Sequence, residues 1–234
     1  MNAIPKESIR QSVIDTVNAA EISAIQTNLY DVPFGGLLLW GIDELLTYHY
    51  LIAEVFRVAP MPYEKFWALS KRKQADHIWK HLFVERSPVS EACRGILTCL
   101  SKLGVDTSTR SLSGARSYFK GMKAADYIDT VFNEANVRSV IMTNDPFDDE
   151  ERPRWLNGAE RDRRFRAALR IDRLLMDWPG ACEMLSSWGY EVEPRLGDWT
   201  LAEIRRFLAD WADRMDPAYM AASLPPSFTY PESS

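Results

Sequence analysis

Val137-Arg-Ser-Val-Ile-Met142, running on into Thr143-Asn-Asp-Pro-Phe-Asp-Asp149, is the stretch on which the fold turns. A short apolar, largely β-branched run bounded by turn residues reads as a buried strand that ends in a polar loop. Polar groups at the C-terminal end of such a strand are placed to line a site. Asp145 is one of them, although Asn144-Asp145-Pro146 is also an ordinary turn.

Upstream, the spacing predicts a helix over 124–135, a Ser/Thr/Gly-rich loop over 105–117, and a helix capped by Ser87 with Pro88 in its first turn. That helix carries Val89, Cys93, Ile96, Leu97 and Leu100 and ends at Gly104. A further helix is predicted over 63–84. Another is expected over 37–57, where Leu45, Tyr48, Leu51 and Ile52 share one face. Ahead of these lie a strand-like stretch, Ile22 to Tyr30, a loop with Pro33, Gly35 and Gly36, and a surface helix over 5–20 marked by Ile9, Val13 and Val17.

Downstream, residues 151–173 hold eight arginines interleaved with Glu151, Glu160, Asp162 and Asp172, which offset half of their charge. Arg164 to Ile171 fits helix and strand alike. Thr200-Leu-Ala-Glu203 reads as a capping box opening a helix with Leu201, Ile204, Leu208 and Trp211 on one face. Tyr219 to Leu224 reads as a last strand, followed by an extended tail with Pro225, Pro226 and Pro231. Strand, helical cluster, strand, helix, strand is an α/β order, which favours a parallel sheet with helices outside. An eight-stranded parallel barrel needs about 250 residues when compact. Here much of the length goes into the helical segment, so the expected architecture is a partial (β/α) barrel. Its barrel parts are 22–36 and 137–234, with a helical insertion over 37–136, in one domain incomplete at its C-terminus.

Composition sets the outer limits. The chain has 234 residues, 46% hydrophobic and 26% charged, with 28 Lys+Arg against 33 Asp+Glu for a net charge of −5. That is a globular composition. Its acidic balance provides no field for polyphosphate, which argues against nucleic-acid binding. No apolar run approaches the ~20 residues of a membrane span, and the first 25 residues lack the apolar block of a secretory signal, so a cytoplasmic location is expected. Cys93, Cys99 and Cys182 form no Cys-x-x-Cys and read as buried reduced thiols.

Four pieces in order resemble uronate isomerase (glucuronate isomerase), of the metal-dependent amidohydrolase superfamily. They are the first strand into Leu29-Tyr30, Leu46-Thr-Tyr-His49-Tyr50, Met142-Thr-Asn-Asp-Pro146, and Leu169-Arg170-Ile-Asp172. The resemblance runs from Ile22 to the last residue and corresponds to roughly the first half of the family's longer chain. It implies an amidohydrolase-type barrel and conversion of D-glucuronate or D-galacturonate to the 2-keto-uronate. Such a reaction needs a proton carrier, a carbonyl polariser and a cation for the sugar carboxylate. By resemblance His49 and Tyr50 contact the substrate near the reacting carbons, Arg170 holds the sugar acid, and Asp145 supports it. The partners implied are a hexuronate and a second copy of the chain, with no nucleic acid and no membrane. Taken alone, a helical His is a surface or core-edge residue, Tyr50 is core, and Arg170 is one solvated arginine among eight.

The chain departs from the superfamily at its first strand. Members carry Asp-x-His-x-His there, holding a divalent metal such as zinc; this chain reads Ala24-Ile-Gln26-Thr-Asn28. Carboxamides are weak ligands for zinc-like ions, so no cofactor is expected, and negligible isomerase activity is expected of these residues alone. The alternative is a catalytically dead relative that binds a sugar acid or regulates. His77 and His81 are four apart, but the metalloprotease Glu is replaced by Ile78, and they read as a solvated pair. Nothing resembles a Ser-His-Asp order or a phosphate loop.

Overall fold

A computed structural model describes residues 5–27, 29–158 and 160–228. Its contacts divide the chain into two units, Met1–Ala20 with Leu39–Val137, and Glu21–Leu38 with Arg138–Ser234.

The first unit is helical. Its elements are α1 (Ile9–Ala19), α2 (Ile42–Leu46), α3 (His49–Val58), α4 (Tyr63–Trp67), α5 (Lys71–Trp79), α6 (Glu91–Lys102), α7 (Ser113–Gly121) and α8 (Ala124–Glu134). Ile42, Leu46, Leu51, Phe66 and Ile78 are buried together at its centre. Arg116 of α7 bridges Asp43 of α2 at 2.8 Å and Asp76 of α5 at 2.7 Å. The helix expected over 37–57 is two helices, because Thr47 closes α2 and Tyr48 turns to extended backbone before α3. The helix expected over 63–84 also breaks: Ser70 is extended between α4 and α5, and α5 runs on into a π turn, Lys80–Val84. The cap of α6 is Ser90 rather than Ser87, its hydroxyl accepting from the Cys93 N–H at 3.2 Å. Gly104 ends that helix as expected, at φ +70°. The loop expected over 105–117 gives way to α7 from Ser113.

The second unit carries β1 (Ile22–Thr27), β2 (Val137–Asn144), α9 (Glu151–Leu156), β3 (Phe165–Arg170), α10 (Asp172–Met176), α11 (Trp178–Ser187), α12 (Asp198–Met215) and β4 (Met220–Ala221). The strands lie side by side in chain order, and β2–β3 and β3–β4 pair in parallel. Asn144 stands opposite Leu169, and Arg170 opposite Ala221. Parallel strands with connecting helices lie covered on both faces and read as near-continuous apolar runs. Val140, Met142, Ala167, Ala168 and Leu169 are buried accordingly. This settles the ambiguous 164–171 stretch as a strand. The sheet is half of a (β/α) barrel. By contrast β1 buries none of its residues fully.

Three further expectations change here. Thr200 and Glu203 form no capping box: α12 starts at Asp198, and the two side chains accept instead from the Glu193 and Glu191 N–H groups, at 3.2 and 2.8 Å. The last strand shrinks to Met220–Ala221. Pro225 and Pro226 lie in a turn closed by the Phe228 N–H on the Pro225 carbonyl, not in an extended tail, and Pro231 lies outside the described residues.

Candidate functional site at the strand ends

The C-terminal ends of β2, β3 and β4 carry the polar groups of the barrel unit, the end at which (β/α) barrels build sites. Arg170 closes β3. Its Nε and Nη2 donate to the two oxygens of Asp172 at 2.8 and 2.7 Å, and Nη2 also reaches the Ser223 hydroxyl at 3.2 Å. The Asp172 carboxylate in turn accepts from the Ser223 N–H just beyond β4 at 2.7 Å. This bidentate pairing holds the Asp172 carboxyl below the usual carboxylate range. It also fixes the plane of the guanidinium, whose Nη1 makes no hydrogen bond among the described residues.

Asp145 follows β2. Its carboxyl accepts from the Phe147 N–H at 2.9 Å, forming the turn through Pro146. Burial pushes its pKa up, against the opposing pull of Arg170. Asp145 and Arg170, both singled out by sequence, are therefore brought within electrostatic reach of one another.

Behind them stands an acid that sequence reasoning passed over. Glu151, at the start of α9, is buried, and its Oε2 accepts from Asn144 Nδ2 at 2.8 Å and from the Asp145 N–H at 3.2 Å. Its Oε1 lies 3.2 Å from the Tyr30 hydroxyl, which is 2.9 Å from the Thr143 carbonyl. Burial pushes the Glu151 carboxyl up to about 7, and among the described residues no lysine or arginine pairs with it. One local signal was present. Asp148 and Glu151 have capping-box spacing, and Asp148 does accept from the Glu151 N–H at 2.9 Å. The Glu side chain, however, turns to Asn144 rather than back to Asp148.

The other expected residues are placed as follows. His49 and Tyr50 open α3 in the helical unit, and both are exposed. Tyr50 is 63% exposed, so it is not core; its ring packs with His49 and Tyr48. Gln26 lies on β1 and is exposed. Asn28 lies outside the described residues. Among the described residues no three His, Cys, Asp or Glu side chains converge on a metal position. With a neutral carboxamide at Gln26, the donors present do not fit a zinc-like ion. His77 and His81 lie with ring centroids 4.5 Å apart, but they are half-buried rather than solvated. Nδ1 of His81 is 2.7 Å from Glu85, and burial lowers the His77 pKa. Cys93 and Cys182 are buried as expected, whereas Cys99 is exposed; all three are free.

The fold and these strand ends define the class: an α/β protein of the amidohydrolase-type (β/α) barrel, represented by half of its strands. Within that class the chain is similar over its whole length to the uronate isomerase of Bacillus halodurans. The two share 51% identity with a TM-score of 0.94, covering 100% of this chain and 55% of that one. Two more distant solved structures share the fold. They are the glucuronate isomerase of Caulobacter crescentus, with 15% identity, TM-score 0.61, and 90% and 48% coverage of the two chains, and the uronate isomerase of Thermotoga maritima, with 16%, 0.65, 98% and 54%. The chain thus spans about half the length of the solved structures it matches. The resemblance to uronate isomerase read from four short pieces holds across the chain. No protein-family model and no curated protein matches it. Among the described residues, no helix is long and apolar enough to cross a membrane.

Proposed function

We propose that this chain carries the sugar-acid-binding strand ends of a uronate isomerase-type site. In a complete barrel these would serve the aldose–ketose isomerisation of a hexuronate, D-glucuronate or D-galacturonate. The observation that supports it most is Arg170, at the C-terminal end of a barrel strand in a chain 51% identical to a uronate isomerase, with its guanidinium plane fixed by Asp172 and its Nη1 making no hydrogen bond among the described residues. A guanidinium held in this way meets a carboxylate with directed N–H groups. His49 and Tyr50 enter the reading by resemblance alone, as proton carrier and carbonyl polariser; an imidazole titrates near neutrality and a phenol can hydrogen-bond a developing oxyanion. The reading places the protein in the cytoplasm, where its three free cysteines stay reduced.

A second reading, a relative that binds the sugar acid without turning it over, is favoured by Gln26 and Asn28 at the positions where the superfamily has metal-binding histidines. Calorimetric titration of the chain with D-glucuronate tests the shared part. Binding is expected, weakened at least about tenfold by Arg170→Met, a loss on the order of 1.4 kcal/mol for a charge-assisted pair, and absent for glucose, which lacks the carboxylate. Binding that survives Arg170→Met unchanged, or no binding of either uronate, overturns it. Turnover by a chain completed with the missing strands then separates an isomerase from a silent binder.

A further inference from the structure

Glu151 has no lysine or arginine paired with it among the described residues. Arg152 lies over the Trp188 ring, its guanidinium carbon 3.4 Å from the centroid, and Arg154 donates to the carbonyls of Pro33 and Glu150. The titratable groups that face Glu151 are Tyr30 from the segment after β1, Asp145 at the end of β2, and Asp148 from the loop before α9. Its hydrogen bonds hold together the ends of two strands and the start of a helix.

The protons in this network can be counted. Tyr30 has one hydroxyl hydrogen and two acceptors in reach, the Thr143 carbonyl at 2.9 Å and Glu151 Oε1 at 3.2 Å. If Glu151 is protonated, it donates to the Tyr30 oxygen and Tyr30 donates to Thr143, so Glu151, the Tyr30 hydroxyl and the Thr143 carbonyl all have partners. If Glu151 is ionised, the carboxylate is the stronger acceptor and draws the Tyr30 hydrogen, leaving the Thr143 carbonyl without it. In both states Oε2 keeps Asn144 and the Asp145 N–H. Asp145 is also the carboxyl, beyond Asp172, whose charge Arg170 feels, whereas Tyr30, which burial keeps as a neutral phenol, enters through its hydrogen bonds alone.

We propose that Glu151 is a positioning residue for the sugar-acid site, its proton deciding whether Tyr30 is tied to the end of β2 or to the acid, and thereby setting how Tyr30 and the Asp145 turn stand against Arg170. The proposal rests on the sugar-acid reading above for what the site binds, but not for the coupling itself.

The coupling is read by nitrogen-15 NMR of the 234-residue chain between pH 5.5 and 8.5. The Asp145 amide, the Asn144 side-chain amide and the Arg170 Nε signal are expected to move together with one midpoint near neutrality. Glu151→Gln should abolish that step at all three. Tyr30→Phe, which keeps the acid but removes the phenol link, should leave the step at Asn144 and Asp145 and shrink it by more than half at Arg170. Asp145→Asn removes the competing carboxyl and should leave the step in place. An Arg170 signal that does not follow, or that follows equally in Glu151→Gln, overturns the proposal; if that variant does not fold, the Tyr30→Phe result decides. Glucuronate added at each pH reports separately. Affinity should change at least threefold across the step in the unsubstituted chain and stay flat in Glu151→Gln. A chain that shows the coupled step but binds no uronate overturns the sugar-acid reading and leaves the coupling standing.

Discussion

Replacing Glu151 by Gln is expected to leave the barrel unit about as stable at pH 5 and to make it more stable at pH 8. The carboxyl titrates at about 7 in the folded chain against an ordinary 4.5, so between those values the folded state binds more protons than the unfolded one. Stability therefore falls as pH rises through that window and is lowest above it. The interval, at about 1.4 kcal/mol per pH unit, amounts to about 3 kcal/mol. Gln reproduces the protonated pattern: its oxygen accepts from Asn144 and Asp145, and its amide donates to the Tyr30 oxygen. It therefore keeps the contacts and drops the cost of ionisation. Urea unfolding followed by tryptophan fluorescence reports on this unit through Trp155, Trp188 and Trp211, which are buried or half-buried in it. Asp31 and Asp145, pushed up by burial, and Asp162 and Asp172, held down by arginine, titrate in both chains and cancel in the difference. A difference that is the same at pH 5 and pH 8, or a variant weaker than its parent at pH 8, would show that Glu151 does not ionise against burial.

Phe66→Ala, at a fully buried ring that meets Phe56 edge-on at 5.1 Å, should cost the helical unit about 3–5 kcal/mol through lost transfer energy and the cavity left behind; a loss under about 1 kcal/mol by urea unfolding would mean that the site collapses around the gap. Ser90→Ala removes the side-chain cap of α6 and the hydroxyl that donates to Glu54 at 2.7 Å, so about 1 kcal/mol should be lost and the Cys93 amide should exchange faster. Asp172→Asn should speed exchange of the Ser223 amide by roughly tenfold, the equivalent of one charge-assisted hydrogen bond. Because the Asp172 carboxyl titrates below its ordinary 3.8, the stability it adds is present above that value and lost as pH falls through its folded value. The gap between parent and variant should therefore close on acidification and not on making the solution basic.

Strand and helix were legible wherever one local rule operated alone. The β-branched run of β2 and the Gly104 helix end are such cases. Expectations failed where a tertiary partner competed. Thr200 and Glu203 have capping-box chemistry, yet the Glu191–Glu193 segment offers them N–H groups, and the helix begins three residues earlier. Of the apolar stripe over 37–57, Leu51 is buried and Leu45, Tyr48 and Ile52 are half-buried, while Leu46 and Val55 beside it are buried fully. Its periodicity does not register the extended backbone at Tyr48, so two helices read as one. Of the strand-end site, Asp145 was found from its place after β2, Arg170 through resemblance, and Asp172 only as part of the same motif. Glu151 was invisible because what makes it unusual is the absence of a cation in three dimensions, while in sequence it is followed at once by Arg152 and soon by Arg154. Both of those side chains turn elsewhere.

The charges at the strand ends do not by themselves attract an anion. Arg170 is matched by Asp172, and Asp145 adds a second carboxyl within its field. With Arg173 also acting on Asp145, a sugar carboxylate brought to this place would meet, with both acids ionised, no net positive charge. Recognition there has to come from direction rather than from net charge: the Nη1 edge of a guanidinium whose plane Asp172 has already fixed, beside an Asp145 carboxyl whose pKa burial pushes up. The same logic runs one layer back, where Glu151 is kept without a cation and so also inclines to hold its proton. An oriented arginine suits an anionic ligand better than a bare basic patch would, because its contacts are specific in angle and do not depend on long-range attraction that salt would screen.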